Sequence, residues 1–145
     1  MSSAARRTLQ WVGALWTLPN TVLGLLLGGL GLLCGARVAW QRRQCALVFL
    51  GFPFGRGALV LGNVIVCTGP SLHVRCQTYA TQAGCAVDAS INLADHERAH
   101  VFQYMLLGPF FLPLYALCGG ISWRNRFERA ADRYALSGRD WWPWS

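Results

Sequence analysis

The sequence contains no lysine, and its 13 basic residues, all of them arginine, are accompanied by only six acidic residues. Charged residues make up 13% of the chain, against about 25% in a typical soluble domain. Hydrophobic residues make up 54% of the 145 residues. A soluble domain of this length would expose far too much apolar surface, so the composition predicts a membrane protein with a single compact domain.

The arginines give the chain a net charge of +7, a balance that is also common among proteins that bind nucleic acids. They lie beside apolar stretches rather than along one polar face of a helix. Anionic lipid headgroups explain this placement better than a nucleic acid does. We therefore expect a lipid bilayer as partner and no nucleic acid.

No two of the six cysteines have CxxC spacing, so the sequence supports neither a zinc ribbon nor a thioredoxin-like motif. Cys67, Cys76 and Cys85 are evenly spaced in one polar segment. A disulfide among them requires that this segment faces an oxidising compartment. Free or buried thiols are the alternative.

Residues 11–36 contain no charged side chain and are long enough to cross a hydrocarbon core of about 30 Å as one helix. We expect a retained transmembrane helix over this range, because no clear cleavage site for a signal peptide follows it. Pro19 interrupts the run. The alternative is therefore a membrane helix that begins near Pro19, after an interfacial piece with Trp11 and Trp16.

Residues 37–67 are rich in β-forming residues that are broken by glycine and proline, and this texture predicts a small β-meander. The alternative is a second membrane hairpin over 45–67, against which Arg56 and the many glycines argue. Residues 68–90 form a polar connection without periodicity. The expected fold is therefore a membrane α+β domain over residues 1–145.

The last third of the chain carries the residues for chemistry. A helix predicted over 91–107 contains the sequence HERAH, an HExxH motif from His96 to His100. Residues four apart share one face of a helix, so both imidazoles can bind one zinc ion. Glu97 lies next to them, where its carboxylate can act as the general base that takes a proton from metal-bound water.

A second predicted helix supplies the other candidates. Glu128 is the expected third zinc ligand, which leaves the fourth position open for water, as a catalytic zinc site requires. We place Asp132, one helical turn further, and Asn125 around the ligands, with Asp132 accepting a hydrogen bond from a ligand histidine. Asn125 also begins a capping box, in which Glu128 needs no metal. Asn92 or Ser90 is expected to cap the HExxH helix.

HExxH followed by ExxxD, the spacing of Glu128 and Asp132, resembles the two motifs of gluzincin metallopeptidases. The run 126–132 is similar to the integral-membrane branch that includes the CAAX prenyl proteases and HtpX. The resemblance covers only these two short motifs. It implies a zinc-dependent membrane peptidase.

A second resemblance extends over more of the chain. Residues 18–21, the strand region 57–63, and HExxHxxQ followed by 107–109 look like a group of small, functionally uncharacterised bacterial membrane proteins. This likeness implies the architecture and no known reaction. In it Gln103, one turn after His100, belongs to the signature and could hold water or substrate near the metal.

The two motifs constrain the apolar stretch between them. If residues 101–122 crossed the bilayer as one helix, Glu128 would lie about 30 Å from His100, far beyond a zinc bond of about 2 Å. The glycines and prolines of 108–122 are the breakers that a re-entrant hairpin would use. A zinc site therefore requires this stretch to double back before the ExxxD helix, predicted over 125–137.

Arginines are more frequent at the β-rich end of the first apolar run than at its amino end. The positive-inside rule then places the site near the cytoplasmic face. The likeness to small bacterial membrane proteins implies a bacterial inner membrane. The sequence thus predicts a membrane-embedded zinc hydrolase that acts on a peptide or a membrane protein. The alternative is a non-catalytic membrane scaffold or partner-binding protein, in which HExxH is structural or vestigial.

Overall fold

The computed structural model describes residues 3–145 and shows a mixed α and β fold with two small sheets. The helices of the described chain are α1 (Ser3–Trp16), α2 (Leu18–Leu33), α3 (Tyr79–Gln82), α4 (Leu93–Leu107), α5 (Phe111–Leu117) and α6 (Arg126–Ser137). Its strands are β1 (Arg37–Gln41), β2 (Ala46–Leu50), β3 (Ala58–Leu61), β4 (Val64–Cys67), β5 (Arg75–Gln77) and β6 (Ser90–Asn92). A 3-10 turn, Gly108–Phe110, joins α4 to α5.

The first apolar run forms two helices instead of the single helix expected over 11–36. The axes of α1 and α2 differ by 73° across Thr17. Pro19 lies in the first turn of α2, where its ring is tolerated, but a helix continuing from α1 would lose a hydrogen bond and clash there. The break therefore falls next to Pro19, and the 16 residues of α2 span about 24 Å.

The larger sheet has the strand order β1-β2-β4-β3. The strands β2 and β4 are parallel, and the other two pairs are antiparallel. The β-meander expected over 37–67 is therefore corrected to a mixed sheet. The loop after β2 contains Gly51, Gly55 and Gly57, all with positive φ, and it carries the chain across the end of the sheet to the outer strand β3.

The sheet lies between two helical layers, and β4 shows this most clearly. Val64 and Val66 pack on the side of α2, whereas Ile65 and Cys67 pack in the larger cluster with α4. All four residues of β4 are buried. A strand covered on both faces reads as a continuous apolar run, which accounts for the sequence VIVC.

The helix α2 packs on the sheet through its glycines. Gly24, Gly28 and Gly31 are buried, and a Cβ atom at Gly28 would lie 2.5 Å from the ring of Phe49. Apart from Leu27, which packs on the sheet, the leucines of α2 point outward, and Leu26 is 65% exposed. This arrangement reverses the usual amphipathic helix, which turns its large apolar side chains toward the core.

The stretch Leu93–Leu117, which comprises α4, the 3-10 turn and α5, is by length and composition apolar enough to cross a membrane. Its two helices are folded against each other, since the rings of His100 and Tyr115 lie 6.3 Å apart. In one straight helix these residues would be separated by about 22 Å. Gly108, with a φ of 55°, is the point where the chain doubles back.

The start of α2 holds this fold-back in place. The side-chain amide of Asn20 donates to the carbonyl of Gly108 at 2.9 Å, and the hydroxyl of Thr21 accepts from the backbone N–H of Asn63 at 3.1 Å. The indole of Trp16 fills the space beside Gly108, where a Cβ atom would lie 2.4 Å from the ring nitrogen. The same helix end thus positions both the β3–β4 turn and the origin of α5.

The polar connection over 68–90 contains regular structure that the sequence did not indicate. β5 pairs with β6 in a two-stranded antiparallel sheet, and α3 lies between them along the chain. All six cysteines lie in the described residues and are free thiols. The disulfide considered for Cys67, Cys76 and Cys85 is therefore not formed.

Candidate metal centre

Two capped helices present the candidate ligands. The side chain of Asn92 accepts a hydrogen bond from the N–H of Ala94 at 2.9 Å and begins α4. The side chain of Asn125 accepts from the N–H of Phe127 at 3.0 Å and begins α6. Such caps satisfy backbone donors that the first turn of a helix leaves free. The two helices pack side by side, which brings HExxH and ExxxD together.

Three atoms from these helices form a nearly equilateral triangle. Nε2 of His96 lies 3.1 Å from Oε2 of Glu128 and 3.2 Å from Nε2 of His100, and the third side, His100 to Glu128, is 3.3 Å. All three side chains are buried. A tetrahedral zinc ion with bonds of about 2.0–2.1 Å holds its ligand atoms about 3.3–3.4 Å apart. The residues His96, His100 and Glu128 could therefore hold a metal ion.

The other ring nitrogen of each histidine has a fixed partner. Nδ1 of His96 donates to Oδ1 of Asp132 at 2.9 Å, as expected for Asp132. A carboxylate only accepts, so the proton of His96 must lie on Nδ1. Nδ1 of His100 lies 2.8 Å from the side-chain oxygen of Gln103, so it too must donate. In both neutral rings Nε2 is then an unprotonated acceptor.

The triangle therefore brings two imidazole lone pairs and one carboxylate oxygen to the same point. When both rings are neutral, no proton is shared among these atoms, and their mutual repulsion is strong in a buried environment. A cation at the centre, either a metal ion or a proton added to a ring nitrogen, removes the conflict. Both far nitrogens are held in the way that metal-ligating histidines usually are.

The second oxygen of Glu128 is occupied as well. The hydroxyl of Tyr115 donates to Oε1, which leaves Oε2 for the triangle. Burial by itself would raise the pKa of Glu128, but when a proton rather than a metal ion lies between the ligands, the positive charge of His100 and the hydrogen bonds from His100 and His96 outweigh burial. The pKa of this carboxyl group is therefore held well below its ordinary value, and Glu128 is ionised.

Glu97 lies beside the triangle at the junction of two cavities. The smaller has a volume of about 100 Å³ and a mostly apolar wall, and the larger has a volume of about 340 Å³ and includes Arg56 and Asp132. His96, Glu97, Tyr79 and other residues line both. Within residues 3–145 no protein group donates a hydrogen bond to the carboxylate of Glu97.

Two tyrosines at the site were not anticipated from the sequence. Tyr115 lies in the apolar stretch after α4. Its hydroxyl, a polar group among apolar side chains, was the only feature of the sequence that could have indicated a role at the site. Tyr79 lies in the polar connection, with its ring centroid 6.0 Å from that of His96. Burial raises the pKa of Tyr79, and the negative charges of Glu128 and Glu97 raise it further, so its hydroxyl keeps its proton.

Asn125, which the sequence placed around the ligands, contacts none of the three in the described chain. Its side-chain amide donates to the carbonyls of Tyr115 and Gly120, at 3.1 and 2.7 Å. It thus ties the end of α5 to the start of α6 and fixes Tyr115 over Glu128. Gln103 was expected to hold water or substrate near the metal. In the structure its side chain contacts the ligand His100 directly.

No protein-family model, curated protein or solved structure matches this chain.

Proposed function

We propose that this protein is a membrane-embedded zinc hydrolase that cleaves peptide bonds. The observation that carries the proposal is the buried triangle of His96 Nε2, His100 Nε2 and Glu128 Oε2, with sides of 3.1 to 3.3 Å. When both rings are neutral, its three atoms are all acceptors, and the other polar atom of each of the three side chains is bound by Asp132, Gln103 or Tyr115.

The donor set favours zinc. Two imidazoles and one carboxylate form one of the common ligand sets of catalytic zinc, with the fourth position left for water or substrate. Calcium and magnesium prefer oxygen ligands, and sites for copper(I) are built from sulfur. The cysteines of the chain do not belong to the triangle.

Hydrolysis is supported by Glu97. A bound zinc ion lowers the pKa of water and polarises a carbonyl group, which is the chemistry that a hydrolase needs. The carboxylate of Glu97 borders both cavities beside His96 and is not engaged by any protein donor in residues 3–145, so it is free to take a proton from water. We assign Glu97 the role of general base.

A peptide substrate is supported by the position of β3. This strand is an outer strand of the sheet, and Ala58, Leu59 and Val60 form part of the wall of the smaller cavity. An outer strand presents unpaired backbone groups, to which an extended peptide can add as a further strand. Its scissile carbonyl would then lie near His96 and Glu97.

A membrane location is supported by the apolar surface. Leu33 of α2 is 85% exposed, and Leu117 and Ile121 beyond the metal centre are 83% and 72% exposed. The helices α1 and α2 also present many other large apolar side chains to the outside. Large apolar surfaces that form contiguous patches mark contact with lipid or with another protein, and this number of exposed apolar side chains favours such a surface. The net charge of +7 favours an anionic bilayer.

The proposal is tested on protein purified in detergent or nanodiscs. Zinc is measured per chain, and peptide hydrolysis is followed with a library of quenched fluorescent peptides. Wild type is expected to bind one zinc ion and to cleave. Glu97→Gln should keep the zinc and lose at least about a hundredfold in rate, since general bases contribute about 10²–10⁴.

Purified wild-type protein that contains no zinc would contradict the proposed metal site and with it the proposed hydrolase. Zinc binding without cleavage of any peptide, in wild type as in Glu97→Gln, would favour the non-catalytic membrane scaffold instead. Leu112→Ala, in the outer wall of the smaller cavity, is a useful comparison, because it should leave zinc binding unchanged and alter only peptide preference.

A further inference from the structure

The last residues of the chain fold back against the metal centre. Gly138 ends α6 with a φ of 72°, and Asp140 has a φ of 60°, so the backbone reverses its direction there. The indole of Trp141 then packs against Phe102 at 5.8 Å between ring centroids, and Trp144 packs against Phe127 at 5.5 Å. We refer to residues 139–145 as the C-terminal tail.

One backbone group of the tail contacts a residue of the centre. The side-chain nitrogen of Gln103 donates to the carbonyl of Trp141 at 2.9 Å and to the carbonyl of Phe127 at 3.3 Å. Both amide hydrogens of this fully buried side chain are thereby used. The amide oxygen must then face His100, where it lies 2.8 Å from Nδ1.

The orientation of this amide decides which nitrogen of His100 can bind a metal. With the amide oxygen facing it, Nδ1 of His100 carries the proton and Nε2 presents its lone pair to the triangle. With the amide reversed, Gln103 would donate to Nδ1, and the proton would move to Nε2. That proton would point at His96 and Glu128 and occupy the place of the metal.

The two ligand histidines differ in this respect. The partner of His96 is the carboxylate of Asp132, which accepts through either oxygen, so its orientation cannot select the wrong tautomer. The partner of His100 is an amide that can be reversed. Its orientation depends on what accepts from its nitrogen, and the shorter of the two bonds goes to the tail.

We infer that the C-terminal tail is a positioning element of the metal centre: the carbonyl of Trp141 holds Gln103 in the orientation that keeps His100 in its metal-binding tautomer. The inference rests on the metal-binding part of the proposed function. It assigns to Trp141 a role for its backbone, in addition to the packing of its indole. Displacement of the tail should weaken zinc binding through His100.

The test moves the tail in the full-length chain. Asp140→Pro forces φ to about −65° at a residue whose φ is 60°, so Trp141 is displaced. Asp140→Gly is the matched control, since glycine adopts positive φ without strain. Zinc affinity is measured by competition with a chromophoric chelator. Asp140→Pro should bind zinc about 10- to 100-fold more weakly, the usual cost of losing a group that holds a metal ligand, and Asp140→Gly within twofold of wild type.

A second background separates this role from a general effect on folding. In Gln103→Leu the link to His100 is absent, so Asp140→Pro and Asp140→Gly should then bind zinc equally, within about twofold. Equal affinities in the wild-type background, or the same ratio in both backgrounds, would overturn the inference. A wild-type chain that binds no zinc would overturn the metal centre itself, and the two failures are therefore distinguishable.

Discussion

The pair α4–α6 and the contact of α2 with the sheet bury opposite kinds of side chain. Between α4 and α6 the buried residues include His96, His100, Glu128 and Asp132. Under α2 the buried residues are mainly glycines, and most leucines of the same helix face outward. Neither arrangement is that of an ordinary soluble core, in which large apolar side chains are buried and ionisable ones are exposed.

We propose that each arrangement is stabilised by a partner that the chain does not supply. Buried ionisable groups are tolerated when they are paired or bind a metal, and the three acceptors of the triangle call for a cation. Outward leucines are tolerated when the surroundings are apolar. Under the proposed function the two regions have different partners, an ion inside and lipid outside, and substitutions in one should leave the property of the other unchanged.

The largest effect is expected from His100→Ala. Structural zinc sites bind with about 10–16 kcal/mol over four ligands, so the loss of one ligand should cost about 2.5–4 kcal/mol and weaken zinc binding by about two orders of magnitude. Chelator competition measures this. The third histidine, His73, is exposed and makes no contact with the centre, so His73→Ala is the control and should bind as wild type does. Equal zinc affinity of His100→Ala and His73→Ala would contradict the assignment of zinc to the buried residues between α4 and α6.

A smaller effect, and on stability alone, is expected under α2. Gly28→Ala places a Cβ atom 2.5 Å from the ring of Phe49, whereas the same change at Gly29 meets nothing within 4 Å. Overpacking costs about 1–3 kcal/mol, so Gly28→Ala should lower the denaturation midpoint in detergent. Gly29→Ala should be neutral or slightly stabilising. Zinc bound per folded chain should be the same in both, and a difference would show that the two regions are coupled.

Asp132→Ala should lower the affinity for zinc and leave the packing of α2 on the sheet unchanged. It removes the acceptor that holds the proton of His96 on Nδ1, and zinc should bind about 10- to 100-fold more weakly. Asp132→Asn offers a sharper version, since its amide can accept or donate and should lie between wild type and Asp132→Ala. An affinity of Asp132→Ala equal to that of wild type would mean that this hydrogen bond does not select the tautomer.

The smallest effect is expected from Tyr115→Phe. The ring keeps its packing against Phe111, and only the donor to Oε1 of Glu128 is lost. A net hydrogen-bond contribution of about 1 kcal/mol corresponds to a loss of about three- to tenfold in zinc affinity. A loss as large as that of His100→Ala would show that the hydrogen bond from Tyr115 matters to zinc binding as much as a ligand does, which would contradict this prediction.

The candidate site could be predicted well from the sequence, because its spacing is helical. His96 and His100 are one turn apart, as are Glu128 and Asp132, so each pair shares a face wherever its helix lies. The charges are also scarce, and three of the six acidic residues lie in these two motifs. The spacing puts Asp132 on the same face as Glu128, so Asp132 can reach His96 once the two helices pack together.

Other features depend on contacts between distant segments, which no local pattern records. The parallel pair of β2 and β4 arises because a glycine-rich loop carries the chain across the sheet, and alternation alone cannot distinguish this from a meander. Tyr115 reaches Glu128 only because the chain reverses at Gly108. The link from Gln103 to the carbonyl of Trp141 likewise joins a side chain to a backbone group 38 residues away.

X-ray absorption at the zinc edge of the purified wild-type protein tests the metal centre most directly. The triangle predicts one zinc ion with four nitrogen or oxygen neighbours at about 2.0–2.1 Å, a scattering pattern of two imidazoles, and no sulfur. Sulfur neighbours at about 2.3 Å would assign the ion to the cysteines and contradict the site. So would a single imidazole, or a protein that retains no zinc.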